Sequence, residues 1–167
     1  MPDEEAVEQP ETAMPDVETA LGNCELFRDL TSEQVRELAP AFHVERYKAG
    51  EAIFEQGSLG ERIYVVNQGQ VRLERVVHLG GSSEARVVVS ILGRCRLLGC
   101  WACILGQSRE LTESAVCQKP TVVLSAKGVD LRAIMDGDHQ LAVAFMERLC
   151  FMLGDKVSDV YSATAAL

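Results

Sequence analysis

Apolar residues fall at helical spacing near the start of the chain, alternate through its middle, and return to helical spacing at its end. From Val17 the positions Val17, Leu21, Cys24 and Leu26-Phe27 recur near three and four residues apart. Thr31 followed by Ser32-Glu33-Gln34 predicts a capped helix running to about Leu38, with Pro40 ending it. The period then shortens. His43–Tyr47, Ala52–Phe54, Arg62–Val66, Gln70–Val77, Arg86–Ile91 and Thr121–Leu124 read as short strands, separated by glycine-rich turns at Gly50, Gly57, Gly69 and Gly80-Gly81. Helical spacing resumes over Lys127–Met135. Asp136-Gly137-Asp138 breaks it, with Asp138 placed to cap the next helix. Leu141, Phe145, Leu149, Met152-Leu153, Val157 and Val160 then form one stripe, predicting a last helix to near Tyr161. Such short strands between such turns predict a mainly β chain: an antiparallel sandwich or barrel with an N-terminal helix and two C-terminal helices.

Charge changes this picture at one end only. Net charge is −9, yet seven of the 25 acids lie in residues 1–20, which hold no Lys or Arg; the remainder carries 18 acids against 16 bases. The expected organisation is an acidic, disordered tail over 1–16, one domain over 17–161 and a frayed end over 162–167. A near-neutral body without a basic stripe argues against a nucleic-acid partner. No basic segment followed by an apolar run opens the chain, and no apolar run nears the ~20 residues a membrane span needs. The expected location is cytoplasmic, with no membrane contact. Six cysteines in that setting are expected as reduced thiols, metal ligands or small buried apolar groups.

Several local motifs, in order, carry a resemblance. Leu26-Phe27-Arg28-Asp29-Leu30-Thr31 leads into a helix. Tyr47-Lys48-Ala49-Gly50-Glu51 and Ile53-Phe54-Glu55-Gln56-Gly57 form a strand–turn–strand signature. Ile63-Tyr64-Val65-Val66-Asn67-Gln68-Gly69-Gln70-Val71 forms a hairpin, and Leu92-Gly93 and Gly99 frame the next segment. Over roughly Leu26 to Val160 the chain resembles the cyclic nucleotide-binding domain, the sensor jelly roll of catabolite activator-type regulators, cyclic-nucleotide-dependent kinases and gated channels. The resemblance implies an antiparallel β jelly roll (a double-stranded β-helix) and a regulatory role without catalysis. No Ser/His/Asp order, paired catalytic carboxylates or phosphate-binding P-loop stands out in the sequence either.

The resemblance also implies a ligand site and shows where this chain departs from it. In nucleotide-binding members the phosphate-binding cassette opens with Gly-Glu, continues as a short helix, and closes with Arg-Ser/Ala-Ala. The glutamate takes the ribose hydroxyl; the arginine and the helix N-terminus take the cyclic phosphate. Here Gly99 is followed by Cys100, and Cys100-Trp101-Ala102-Cys103-Ile104-Leu105 is the expected helix. If Ser114-Ala115 matches the closing pair, Glu113 stands at the arginine position; a rival count from Gly99 reaches Arg109 instead. The first alignment fits the next strand better. Upstream, the usual glycine and acid of the turn are replaced by Cys95 and Arg96. The candidate ligand residues are therefore Gly99, Cys100, Trp101, Ala102, Arg109, Glu113, Ser114 and Ala115, and the candidate ligand is a cyclic nucleotide or another small anion.

The same stretch holds Cys95, Cys100, Cys103 and Cys117. The C-x4-C-x2-C spacing equals part of the plant-type ferredoxin pattern, so an iron–sulfur cluster or Zn²⁺ is the alternative cofactor. Buried thiols and a thiol redox switch are the competing readings. Three functions stay open: a stand-alone regulatory module, a metal or redox protein, and a ligand-free subunit of a larger complex. The chain stops soon after its last helix, so the first acts by contacting another protein. A homodimer through Leu149, Met152 and Leu153 of that helix is the companion expectation.

Overall fold

The computed structural model describes residues 15–164. Residues 1–14, most of the expected acidic tail, and residues 165–167 lie outside the described residues. Two short helices lead in, α1 (Val17–Gly22) and α2 (Ser32–Leu38). The expected capping box is formed: the Thr31 N–H donates to Gln34 Oε1 at 2.9 Å, and the Gln34 N–H donates to Thr31 Oγ1 at 3.2 Å. Pro40 lies in a 3-10 turn, Ala39–Ala41, which delivers the chain into the sheets.

The strands are β1 (Phe42–Tyr47), β2 (Ala52–Phe54), β3 (Leu59–Gly60), β4 (Arg62–Gln68), β5 (Val71–Gly80), β6 (Ser83–Leu92), β7 (Leu97–Gly99), β8 (Arg109–Glu110), β9 (Ser114–Cys117) and β10 (Thr121–Lys127). They form two four-stranded sheets, β1-β10-β4-β7 and β2-β9-β5-β6, and a small β3-β8 ladder, every pairing antiparallel. Mostly antiparallel sheets with flanking helices make this the jelly roll of the expected class. The hairpin β5–β6 is longer than its apolar alternation suggests and turns at Gly81-Ser82.

Strand β4 shows how the layers share a core. Ile63 and Val65 face the helices, in a cluster with Phe27, Leu38, Leu124, Leu131, Leu141 and Phe145. Tyr64 and Val66 face the other sheet, in a cluster with Val71, Leu92, Leu98, Ala115, Cys117 and Val123. Burial on both sides is why Ile63–Val66 is a continuous apolar run rather than an alternating one.

Two helices close the domain, α3 (Gly128–Gly137) and α4 (His139–Thr164). β10 runs three residues past the expected Leu124 and hands directly to α3. Gly128 allows this, because a Cβ there would fall 2.3 Å from the backbone of Cys103. Asp138 caps α4, its Oδ1 accepting the N–H groups of Gln140 at 2.8 Å and Leu141 at 3.1 Å. The expected single stripe of α4 divides. Leu141, Phe145, Leu149 and Met152 are buried, whereas Leu153 and Val157, one position round the helix, are 38% and 54% exposed. Leu149 and Met152 are thus buried in this chain's own core, while Leu153, the third residue of the expected dimer seam, is exposed. Among the described residues no helix is long and apolar enough to cross a membrane.

Candidate functional site

Strand β7 ends at Gly99, where φ is +111°. A Cβ there would lie 2.5 Å from the Arg62 carbonyl, so only glycine lets β7 close on β4 at this point. The Cys100 N–H then donates to that carbonyl at 3.0 Å. Trp101–Leu105 follows as a five-residue 3-10 helix with Cys100 at its N-cap. It is the expected cassette helix, one residue shorter and more tightly wound.

The side chains differ from those of an anion site. Cys100 is buried in the helix-side cluster, and its Cβ occupies the place a side chain at Gly60 would take. It offers no carboxylate for a ribose hydroxyl. Ala102 packs against the same cluster, and Trp101 is partly buried there. Arg109 lies exposed on β8, opposite Gly60, and donates to the Gln107 side chain at 3.3 Å. Glu113 immediately precedes β9, with its carboxylate 3.7 Å from Arg75 Nη2. Ser114 uses its hydroxyl to accept the Gln56 N–H at 2.9 Å. Ala115 is fully buried between the sheets.

Two residues here escape the sequence reading. Arg75 reaches across from β5, and its Nε–H donates to the Thr112 carbonyl at 3.1 Å. Lys156 reaches down from α4, its Nζ 5.0 Å above the Trp101 ring. Desolvation lowers the Lys156 pKa; the Glu25 carboxylate opposes this most, Arg96 adds to the lowering, and Glu113 opposes it. A common signal was available for both. Arg75 follows Val71 and Leu73 at alternate positions of β5, and Lys156 follows Phe145, Leu149 and Met152 at helical spacing, each at the exposed end of its apolar run. A charge in an apolar phase marks a side chain that needs a partner.

The four cysteines fall into three surroundings. Cys100 and Cys103 sit in the helix-side cluster, while Cys117 sits in the inter-sheet cluster. Cys95 occupies the turn between β6 and β7 with φ +66°, in the left-handed region, and its N–H donates to the Val66 carbonyl at 2.7 Å. Burial pushes the Cys103 thiol up to about 11 and raises Cys117 as well, away from the thiolate form that metals bind. Among the described residues no three His, Cys, Asp or Glu side chains come together to hold a metal ion. Cys95, Cys100, Cys103 and Cys117 therefore do not make up an iron–sulfur or zinc ligand set in this structure. Arg96, next in that turn, pairs with Glu25 at 3.3 Å.

Comparison with known proteins agrees with this geometry. The family described as "Cyclic nucleotide-binding domain" matches residues 44–138, more than half of the chain. The cyclic AMP receptor protein of Thermus thermophilus is 33% identical over 128 residues, 74% of this chain and 56% of that protein. A cAMP-dependent protein kinase regulatory subunit of Blastocladiella emersonii is 31% identical over 71 residues, 42% of this chain and 17% of that one. The chain thus spans little more than half of the first relative's length. Among solved structures, the Thermus thermophilus catabolite activator protein superposes with a TM-score of 0.70 at 28% identity, covering 84% of this chain and 62% of that one. A cyclic nucleotide-binding domain from Methylobacillus flagellatus shares the fold, with a TM-score of 0.74 at 17% identity over 88% of this chain and 79% of its own. With strands, cassette helix and flanking helices all in place, the chain belongs to the cyclic nucleotide-binding domain family.

Proposed function

We propose that this chain is a non-enzymatic regulatory or sensor module that acts by contact with another protein. It does not hold a cyclic nucleotide through the two charged contacts that nucleotide-binding members of the family use. One observation carries the reading: Cys100 is buried against Gly60, and Glu113 is paired with Arg75, where the resemblance calls for a ribose acceptor and a phosphate cation. Loss of two charge-assisted hydrogen bonds removes the strongest polar terms available to such a ligand. The Thermus thermophilus relative is named for cyclic AMP; the same ligand here would meet a thiol and a carboxylate instead. Calorimetry and thermal melting with cAMP and with cGMP test the reading. No heat and no melting shift are expected, because a ligand at a hundred times its Kd would stabilise the domain by about 2.7 kcal/mol. Saturable binding of either nucleotide to the unmodified chain overturns it.

The partner surface lies on α4. Val143, Met146, Cys150, Leu153 and Val157 follow alternate steps of three and four, the seam of a two-stranded coiled coil. Val143, Cys150, Leu153 and Val157 are exposed, and Phe151 beside them is 69% exposed. A second copy of this chain fits such a seam, since the same residues would meet across a twofold axis. Light scattering should give a dimer for the natural chain and a monomer for Leu153→Lys/Val157→Lys. A natural chain that is monomeric at high concentration removes the seam.

A further inference from the structure

Glu113 is out of place for receiving a phosphate, yet it is not an unbalanced charge. Its side chain is only 25% exposed, and Arg75 Nη2 lies 3.7 Å from its Oε1. Arg75 is itself anchored, through its Nε–H to the Thr112 carbonyl at 3.1 Å. Lys156 brings a second cation to this region from α4, held over Trp101 and within electrostatic reach of Glu113. Arg75 from β5 thus contacts the Glu113 carboxylate directly, and Lys156 from α4 lies farther off, over the cassette tryptophan.

We propose that Glu113 is the resident anion of this site and that Arg75 is its latent phosphate-binding cation. Glu113 supplies from within the negative charge that a ligand's phosphate brings in nucleotide-binding relatives. The proposal rests on the functional reading above and specifies what keeps phosphate ligands out. With Glu113 ionised, an incoming phosphate has to displace the carboxylate from Arg75 and then sit beside it in a partly buried site. With Glu113 replaced by its neutral isostere, Arg75 keeps its anchor on Thr112. Its Nη groups are then free to fork onto phosphate oxygens, a geometry lysine does not offer. Lys156 adds a second positive charge. Neither of the other candidates takes this role: Ser114 is a neutral hydroxyl that accepts the Gln56 N–H, and Arg109, on β8, is exposed and donates to Gln107.

The test compares the natural chain, Glu113→Gln, Glu113→Ala and Glu113→Gln/Arg75→Gln, each titrated by calorimetry with cAMP and with inorganic phosphate at low salt. The natural chain and the double variant should give no heat. Both single variants should bind cAMP at least about tenfold more tightly than the natural chain's detection limit, the effect of one recovered charge-assisted contact. Inorganic phosphate should bind the same variants more weakly and compete with cAMP. Circular dichroism and melting establish that each variant is folded, and the two single variants give independent readings. If they stay silent while folded, Glu113 is not the barrier, and the functional reading stands without this inference. If the double variant binds as well as Glu113→Gln, Arg75 is not the cation. Binding of cAMP by the natural chain overturns both readings.

Discussion

Strand β5 carries an arginine–glutamate contact in each of its two phases, and the two are built to different standards. In the phase of Arg72 and Glu74, the Glu74 side chain is 3% exposed and both of its oxygens are taken. Arg72 Nε donates to one at 3.0 Å, and Arg86 Nη1 from β6 donates to the other. In the phase of Val71 and Leu73, Arg75 meets Glu113 at 3.7 Å, with both side chains partly in solvent. The first arrangement leaves the carboxylate no freedom and ties two strands together. The second is loose enough to exchange. A buried, doubly paired carboxylate and a partly exposed contact proposed as replaceable thus stand one residue apart.

The largest expected effect separates them directly. Glu74→Ala removes a buried carboxylate that holds Arg72 and Arg86, both of which still reach solvent, and should cost about 2 kcal/mol in urea unfolding. Glu113→Gln should change stability by only about 0.5 kcal/mol, as exposed pairs do. Equal losses would mean that the Arg75 contact also holds the fold together, and its reading as a replaceable anion would fail.

Thiols show the same division between locked and available groups. Burial pushes Cys24 up to about 12 and Cys103 up to about 11, from ordinary values near 9. A raised folded value means that both thiols contribute full stability while they stay protonated in either state, below pH 9. As pH rises beyond 9 the unfolded chain ionises first and stability falls, until the folded thiols titrate as well. Each should contribute about 1.4 kcal/mol per pH unit to this loss. Unfolding free energies measured from pH 8 to 10.5 should show the slope, to which the raised Cys117 thiol also contributes, and Cys24→Ala should lower it by about 1.4 kcal/mol per pH unit. An unchanged slope would place Cys24 in a wetter environment than the helix-side cluster.

How far the sequence could be read follows the same line. The segment Ile63–Val71 was legible because each residue acts locally. Its apolar residues fill a core on either side of β4, and Gly69 takes φ +103° where a Cβ would strike Thr121. Thr31 and Gln34 were legible because a capping box is contained within four residues. The β3–β8 ladder was not, since two-residue strands have no period and pair across fifty residues. The two faces of α4 could not be told apart, because the apolar positions show in the sequence while the neighbour each one meets does not. In the cassette, Gly99 and the short helix were read correctly as backbone. The partners of Glu113 and Trp101 were not, because Arg75 and Lys156 come from distant elements.

Cys95 lies between these cases, a side chain substituted at a backbone position. Its φ of +66° is one a residue with a Cβ adopts at a cost of roughly 1 kcal/mol. Glycine at this turn, as the family resemblance expects, should relieve that strain. Cys95→Gly should therefore stabilise the chain by a little under 1 kcal/mol, after the added flexibility of the unfolded state is counted. A loss instead would show that the thiol has a packing role in the turn that offsets the backbone strain.

The smallest effect addresses the contact between α4 and the cassette helix. Lys156→Met keeps an apolar stem over Trp101 and removes the ammonium, so stability should fall by only about 0.5 kcal/mol. Its value lies in the readout. Trp101 is the sole tryptophan, so fluorescence excited at the red edge, where the three tyrosines do not absorb, reports the cassette. If α4 rests on the cassette through this contact, Lys156→Met should shift the emission while leaving circular dichroism unchanged. Glu113→Gln should produce a smaller shift through the same lysine. If neither variant moves the emission, α4 and the cassette are not coupled through Lys156. Arg75 would then be the one cation in contact with Glu113 among the described residues, and Lys156 would play no part in the site.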